Sequence, residues 1–264
     1  MKLIDPHIHM ISRTTDDYLK LRYAQIVSVV EPAFWAGTNR TNIGSFEHYF
    51  EHLTTFEPKR AWDYHIRHFS CIGINPKDGK DLGLVKEAIE LMKNYLDRSN
   101  VVAIGEIGLD EILPAEEESF KMQLALAEEK QMPVLIHTPH HNKKKGVERI
   151  VAMIKEVGAT EHRILIDHNT EETMDLSLTL NVVCGLTVYP ITKLSPERAV
   201  NIIQKYGTER IVVNSAADWG FSDPLMVPKV KAEMENRNFT EEAIEQVLFQ
   251  NPKNFFSQSK HFQL

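Results

Sequence analysis

Val101-Val102-Ala103-Ile104-Gly105-Glu106-Ile107-Gly108-Leu109-Asp110 is the stretch on which the fold turns. Residues 101–108 are rich in branched apolar side chains and about as long as a strand buried on both faces. Seven more such runs surround it: 3–9, 26–32, 69–75, 134–138, 164–168, 182–188 and 211–215. Between them the apolar spacing changes from continuous to three and four. In 84–96, Leu84, Ala88, Leu91, Met92 and Leu96 share one helix face. The segments 120–130, 146–157, 196–206 and 240–249 repeat that pattern, and Thr240 followed by Glu241 and Glu242 marks a helix start.

Eight strands alternating with helices predict a parallel sheet, and eight is the number that closes a (β/α)8 TIM barrel of about 250 residues. An open doubly wound sheet is the alternative, but no Gly-x-Gly-x-x-Gly follows the first run. No linker-like or repetitive tract divides the chain, so one α/β domain over 1–264 is expected. The segment 35–62 is longer than a crossover needs, which predicts an inserted loop and helix over the barrel mouth. Lys143-Lys144-Lys145 reads as a solvated helix start.

The composition narrows the function classes. The 264 residues carry 30 basic and 37 acidic side chains, a formal charge of −7. An acidic chain repels phosphate backbones at long range, so strong nucleic-acid binding is not expected. Cys71 and Cys184, the two cysteines, sit in apolar runs and read as core residues rather than a disulfide framework. The N-terminus has no signal-peptide core, and no charge-free apolar run reaches about 18 residues. A cytoplasmic protein without a membrane span, monomeric or a small homo-oligomer, is expected.

Histidine is the unusual component, with 12 copies. Catalytic groups of a closed barrel gather at the C-terminal strand ends. There the sequence places His7 and His9, two residues apart and thus on one side of a strand, then Glu106, His137 and His168, and Asp218 after the last run. Four imidazoles and two carboxylates suit two divalent ions, Zn, Mn or Fe, with Mg possible. Glu106 has the two oxygens that a bridge between ions needs. Such a site can activate water and hold the attacking and leaving oxygens of a displacement, with Asp218 and Glu106 as the candidate catalytic carboxylates.

These residues resemble the TatD family of metal-dependent hydrolases, within the amidohydrolase superfamily. Asp5-Pro6-His7-Ile8-His9 matches the family's opening Asp-x-His-x-His, and Ala103 to Asp110 its Ala-Ile-Gly-Glu-x-Gly-Leu-Asp. Phe120, Gln123, Leu124–Ala127, Pro133–His137 and the closing Asn251–Phe256 are also similar. The resemblance implies a barrel with two ions, His7, His9 and Asp218 on the first, His137 and His168 on the second, and Glu106 bridging. It implies hydrolysis of phosphoesters, with nucleases among the relatives.

Three departures predict a divergent member. Asn75 stands where the family has histidine. Asn214-Ser215-Ala216 replaces Glu-Thr-Asp, which moves the expected carboxylate to Asp218. Thr138-Pro139-His140-His141 replaces a small residue followed by arginine. The expected substrate is a phosphoester or another small molecule; a lactonase or amidase, or a metal-containing binding protein without turnover, is the alternative. Candidate substrate contacts are Asn75, Glu31, Trp35, His140, Lys143 and Trp219. For Glu31, Trp35 and Trp219, plain packing is the competing reading.

Overall fold

Alternation of side chains explains the architecture. Along β1 (Leu3–Asp5), β2 (Ile26–Pro32), β3 (Arg67–Ile72), β4 (Val101–Gly108), β5 (Val134–His137), β6 (Ile164–Ile166), β7 (Val183–Thr187) and β8 (Ile211–Asn214), apolar residues fall into two sets. Ile4, Val30, Phe69, Cys71, Val102, Leu135, Leu165 and Val212 form one cluster with Phe255, Phe256 and Phe262. Their strand neighbours Leu3, Val29, Val101, Val134, Ile136, Ile164, Ile166, Ile211 and Val213 pack with the helices in another. One face of each strand therefore looks to the barrel axis and the other to the helical ring, except on β4, where Val102 and Ala103 both face the axis and the alternation slips.

The computed structural model of the protein describes residues 1–35 and 37–264. All eight strands are parallel and pair in sequence order from β1 to β8. No ladder joins β8 to β1 among the described residues, and the seam is held another way. The Ala216 N–H donates to His7 O at 2.8 Å, and the His9 N–H to Ala217 O at 3.0 Å. Ser215 Oγ donates to Asp5 Oδ2 at 2.6 Å. The sheet is thus a nearly closed (β/α)8 barrel, which excludes the open arrangement.

Two helices start earlier than the apolar spacing indicates, and the one expected over 84–96 runs Leu82–Lys93. The helix expected from residue 120 runs Pro114–Lys130, because Pro114 fits the first turn and Glu116 Oε2 accepts from the N–H groups of Asp110, Glu111 and Ile112. Periodicity registers only apolar residues, so the first turn Pro114-Ala115-Glu116-Glu117, whose buried side chain is the polar Glu116, leaves no signal. Asp81 caps Leu82–Lys93 by accepting from Gly83 and Leu84, and Thr240 caps Glu241–Glu245. Lys143 begins Lys143–Val157.

The segment expected over the mouth serves mainly as the β2–β3 crossover. Ile43–Glu51, a π-helical turn at His52–Phe56 and Glu57–Trp62 pack against β3 and the helix Leu82–Lys93. Phe46, Phe50 and Leu53 are buried there, and that apolar face keeps the segment in the outer ring. Cys71 and Cys184 are buried and unpaired. Among the described residues no helix is long and apolar enough to cross a membrane.

Candidate metal centre

The C-terminal strand ends carry a polar cluster beneath a cavity of about 270 Å³. Interior parity places one of its members directly: His137 lies two residues beyond Leu135 and faces the axis. On β4 the alternation slips, with Val102 and Ala103 both in the inner cluster and Ile104 in the outer one, and Glu106 follows that irregularity. Glu106 Oε1 is 2.6 Å from His137 Nδ1 and 3.1 Å from His168 Nε2. Asn75 Nδ2 donates to the other oxygen of Glu106 at 3.3 Å.

His7, His9 and His168 arrive by a different route from the one expected. β1 ends at Asp5 and β6 at Ile166, so all three histidines lie past the ladders. His168 turns inward on a left-handed backbone, φ 57°. His9 begins the 3₁₀ turn Met10–Ser12. Even so, His7 Nε2 and His9 Nε2 stand 3.0 Å apart. Donor atoms of His7, Glu106 and His168 all fall within 4.8 Å of one another.

This donor set fits a divalent cation. The two facing Nε2 atoms hold at most one hydrogen between them when His7 is protonated at Nδ1, and His9 Nδ1 is buried with no partner. Imidazole nitrogens with a carboxylate oxygen are the ligands that Zn, Mn or Fe take.

Charge in the cluster is strongly organised. Burial alone would raise the Glu106 pKa, but His137, His168 and His7 hold it well below the usual carboxylate range. Burial, then the neighbouring His7, push His9 far below the ordinary imidazole value. Burial and Lys193 do the same to His168. At neutral pH His9 and His168 are therefore uncharged, the form in which imidazole ligates.

The other expected contacts are distributed unevenly. Asn75, Trp35, His140, Asp218 and Trp219 line the cavity. Asp218 Oδ1 accepts from Tyr189 OH at 2.7 Å and from the Gly220 N–H at 2.9 Å. Phe34 stacks on His9, with ring centroids 3.7 Å apart, and Trp219 lies 5.2 Å beyond Phe34. Burial, then Lys193 and His137, bring His140 down to about 3. Lys143 Nζ turns away, donating to Thr138 Oγ1 and His168 O, and burial lowers it to about 8. Glu31 is fully buried outside the cavity, with Oε2 2.8 Å from His68 Nε2.

Two residues of the site carry no mark in the reading of strand ends. Asp167 Oδ2 lies 2.5 Å from His7 Nδ1. Its parity, two residues after Leu165, is the sequence signal for it. Lys193, on the loop after β7, lines the cavity with Nζ 3.2 Å from His168 Nδ1. No periodicity points to it.

The family description "TatD related DNase" matches residues 4–257. An uncharacterized metal-dependent hydrolase of Methanocaldococcus jannaschii is 31% identical over 260 residues, covering 96% of this chain and 99% of that protein. The TatD-like protein of Archaeoglobus fulgidus superposes with a TM-score of 0.80 at 27% identity, over 96% of this chain and 99% of that one. A 3'-5' ssDNA/RNA exonuclease TatD from a Pantoea species is 24% identical, over 79% of this chain and 78% of its own. With the family description spanning nearly the whole barrel, the chain belongs to the TatD-related family of metal-dependent hydrolases.

Proposed function

We propose that this protein is a divalent-metal-dependent phosphoesterase. The observation that carries the reading is the meeting of His7, Glu106 and His168 within 4.8 Å below a cavity whose wall also carries Lys193 and Lys77. A cation held by this cluster would supply a water of lowered pKa and polarisation of the bond to be cut. His7 and His9 offer Nε2, and His137 offers Nδ1. His168 offers Nε2 once it donates its Nδ1–H to Thr187 Oγ1, 2.6 Å away. Glu106, whose Oε1 meets His137 and His168 and which groups with His7 within 4.8 Å, would be the shared carboxylate if two ions of the Zn, Mn or Fe class were held.

Asp218 is the proton-handling carboxylate of this reading: one oxygen is fixed by Tyr189 and Gly220, and the residue lies on the cavity wall. Lys193 and Lys77 place positive charge where a phosphoester's anionic oxygens enter. Phe34, Trp35 and Trp219 supply flat apolar surface for the rest of the substrate. The relative named as an ssDNA/RNA exonuclease makes single-stranded nucleic acid one phosphoester to test, despite the net charge of −7.

Ala216 favours a second reading. It lines the cavity at the position where the resemblance calls for a carboxylate, and a barrel without that group would bind metal and ligand without turnover. A panel of phosphodiesters, including single-stranded DNA and RNA, run against lactones and amides with and without chelator, separates the readings. Chelator-sensitive cleavage of phosphodiesters is expected. Cleavage confined to lactones or amides, or chelator-resistant turnover, would overturn the phosphoesterase. Metal uptake with a ligand-dependent rise in Tm but no turnover would favour the binding protein.

A further inference from the structure

Asp167 is the most completely satisfied carboxylate near the cluster. Oδ2 receives His7 Nδ1 at 2.5 Å and Asn214 Nδ2 at 3.0 Å. Oδ1 receives the His168 N–H at 2.7 Å, Asn214 Nδ2 at 2.9 Å and Thr187 Oγ1 at 3.2 Å. The side chain is fully buried. It thereby gathers groups from the ends of β6, β7 and β8 and from the segment after β1. Space for it is reserved on the neighbouring strand β7: a Cβ at Gly185 would lie 2.1 Å from Asp167 Oδ1.

With its lone pairs engaged in this way, Asp167 has none left for an ion, and its chemistry points to its partner. An ionised carboxylate only accepts hydrogen bonds, so the Asp167 contact requires a proton on His7 Nδ1. That fixes the tautomer and presents the Nε2 lone pair toward His9 and the cluster.

We infer that Asp167 is the positioning residue of the metal centre, holding His7 in the Nδ1–H tautomer so that Nε2 ligates. The inference rests on the metal-dependent reading above. It gives the barrel a carboxylate on β6's end that orders the His7 half of the site, where Ala216 after β8 supplies none. Thr187 and Asn214 complete the device, because each also holds Asp167 in place.

Imidazole nitrogen NMR on the metal-free full chain, above the histidine titration range, reads the tautomer directly and needs no variant. The expected spectrum has His7 protonated at Nδ1. Titration calorimetry with Mn²⁺ and with Zn²⁺ then compares wild type with Asp167→Asn, which keeps the shape and removes the charge. A 10–100-fold loss of affinity is expected, with a His7 spectrum that shifts toward the Nε2–H form. An Nε2-protonated His7 in the wild type, or affinity in D167N within about twofold of wild type, would overturn the inference. Failure of the metal reading looks different: the wild type would take up neither ion although His7 kept its Nδ1 proton, and the inference would fall with it. If D167N does not fold, Thr187→Val removes one donor to Asp167 and is expected to shift the same resonance and weaken the same titration; an unchanged pair of readouts would overturn the inference.

Discussion

Glu106 Oε1 lies 2.6 Å from His137 Nδ1, a contact between neighbouring strands that puts an anionic oxygen against an imidazole inside the barrel. The surrounding histidines keep Glu106 ionised despite its burial, so its charge is available to a cation across the neutral range. Glu106→Gln keeps the volume and one acceptor but removes the charge. Loss of bound metal and a fall of about 100-fold or more in metal-dependent turnover are expected. Elemental analysis of the purified variant, beside rates at saturating metal, checks both.

Gly185 is where the barrel wall gives way to the site. A methyl group there would sit 2.1 Å from Asp167 Oδ1, a distance no real contact shows. Either Asp167 moves and releases His7, or β7 shifts against β6. Gly185→Ala is therefore expected to cost about 1–3 kcal/mol of stability and to weaken metal binding. Urea unfolding and metal titration of the same preparation check this; retention of both properties would mean that the packing around Asp167 is loose.

Much of this arrangement can be read from residue spacing. Once Leu135, Leu165, Val212 and Val183 are placed on the inner face, steps of two give His137, Asp167, Asn214 and Thr187; Glu106 escapes the rule, because Ile104, two residues after inward Val102, packs on the outer face. Parity also puts Glu31, next to inward-facing Val30, on the outer face, where it meets His68 instead of substrate. What spacing does not show is where a ladder stops. His168 reaches inward only through a left-handed backbone, and His7 converges on His9 after β1 has ended. Lys193 and Asp218 come from loops, whose paths depend on tertiary contacts such as Tyr189 to Asp218 rather than on any period.

Outside the cavity, the Glu31–His68 pair predicts a pH effect with a definite sign. Burial, then the nearby Glu57, raise the Glu31 pKa well above 4.5. The folded chain thus holds a proton that the unfolded chain releases above that value. Its contribution is fully present below pH 4.5 and is lost as pH rises toward the folded pKa. Glu31→Gln keeps the shape and a hydrogen-bonding end but cannot titrate. Measured against wild type, the variant should lose relative stability on going from about pH 7 to about pH 5. Urea midpoints at the two pH values give that difference directly, and a constant difference would mean that Glu31 is ionised in the fold.

Ser215 closes the barrel seam and sets the cost of a buried acid at the same time. Its hydroxyl donates to Asp5 Oδ2 at 2.6 Å and its N–H to Oδ1 at 3.3 Å, while the His7 N–H reaches Oδ1 at 3.2 Å. Burial raises Asp5 to about 7, against the lowering effect of these donors, the Ser215 hydroxyl first among them. Because the folded pKa is raised, Asp5's contribution is whole below pH 3.8 and fades as pH climbs through about 7. Ser215→Ala removes the donor that the charged form needs most. A loss of about 1–3 kcal/mol is expected, larger at about pH 8, where Asp5 would have to ionise without its hydroxyl partner, than at about pH 5, where it stays protonated. Chemical unfolding at both pH values checks the magnitude and the direction. An equal loss at each would place the role of Ser215 in packing the seam, with the charge on Asp5 carried by the remaining N–H donors alone.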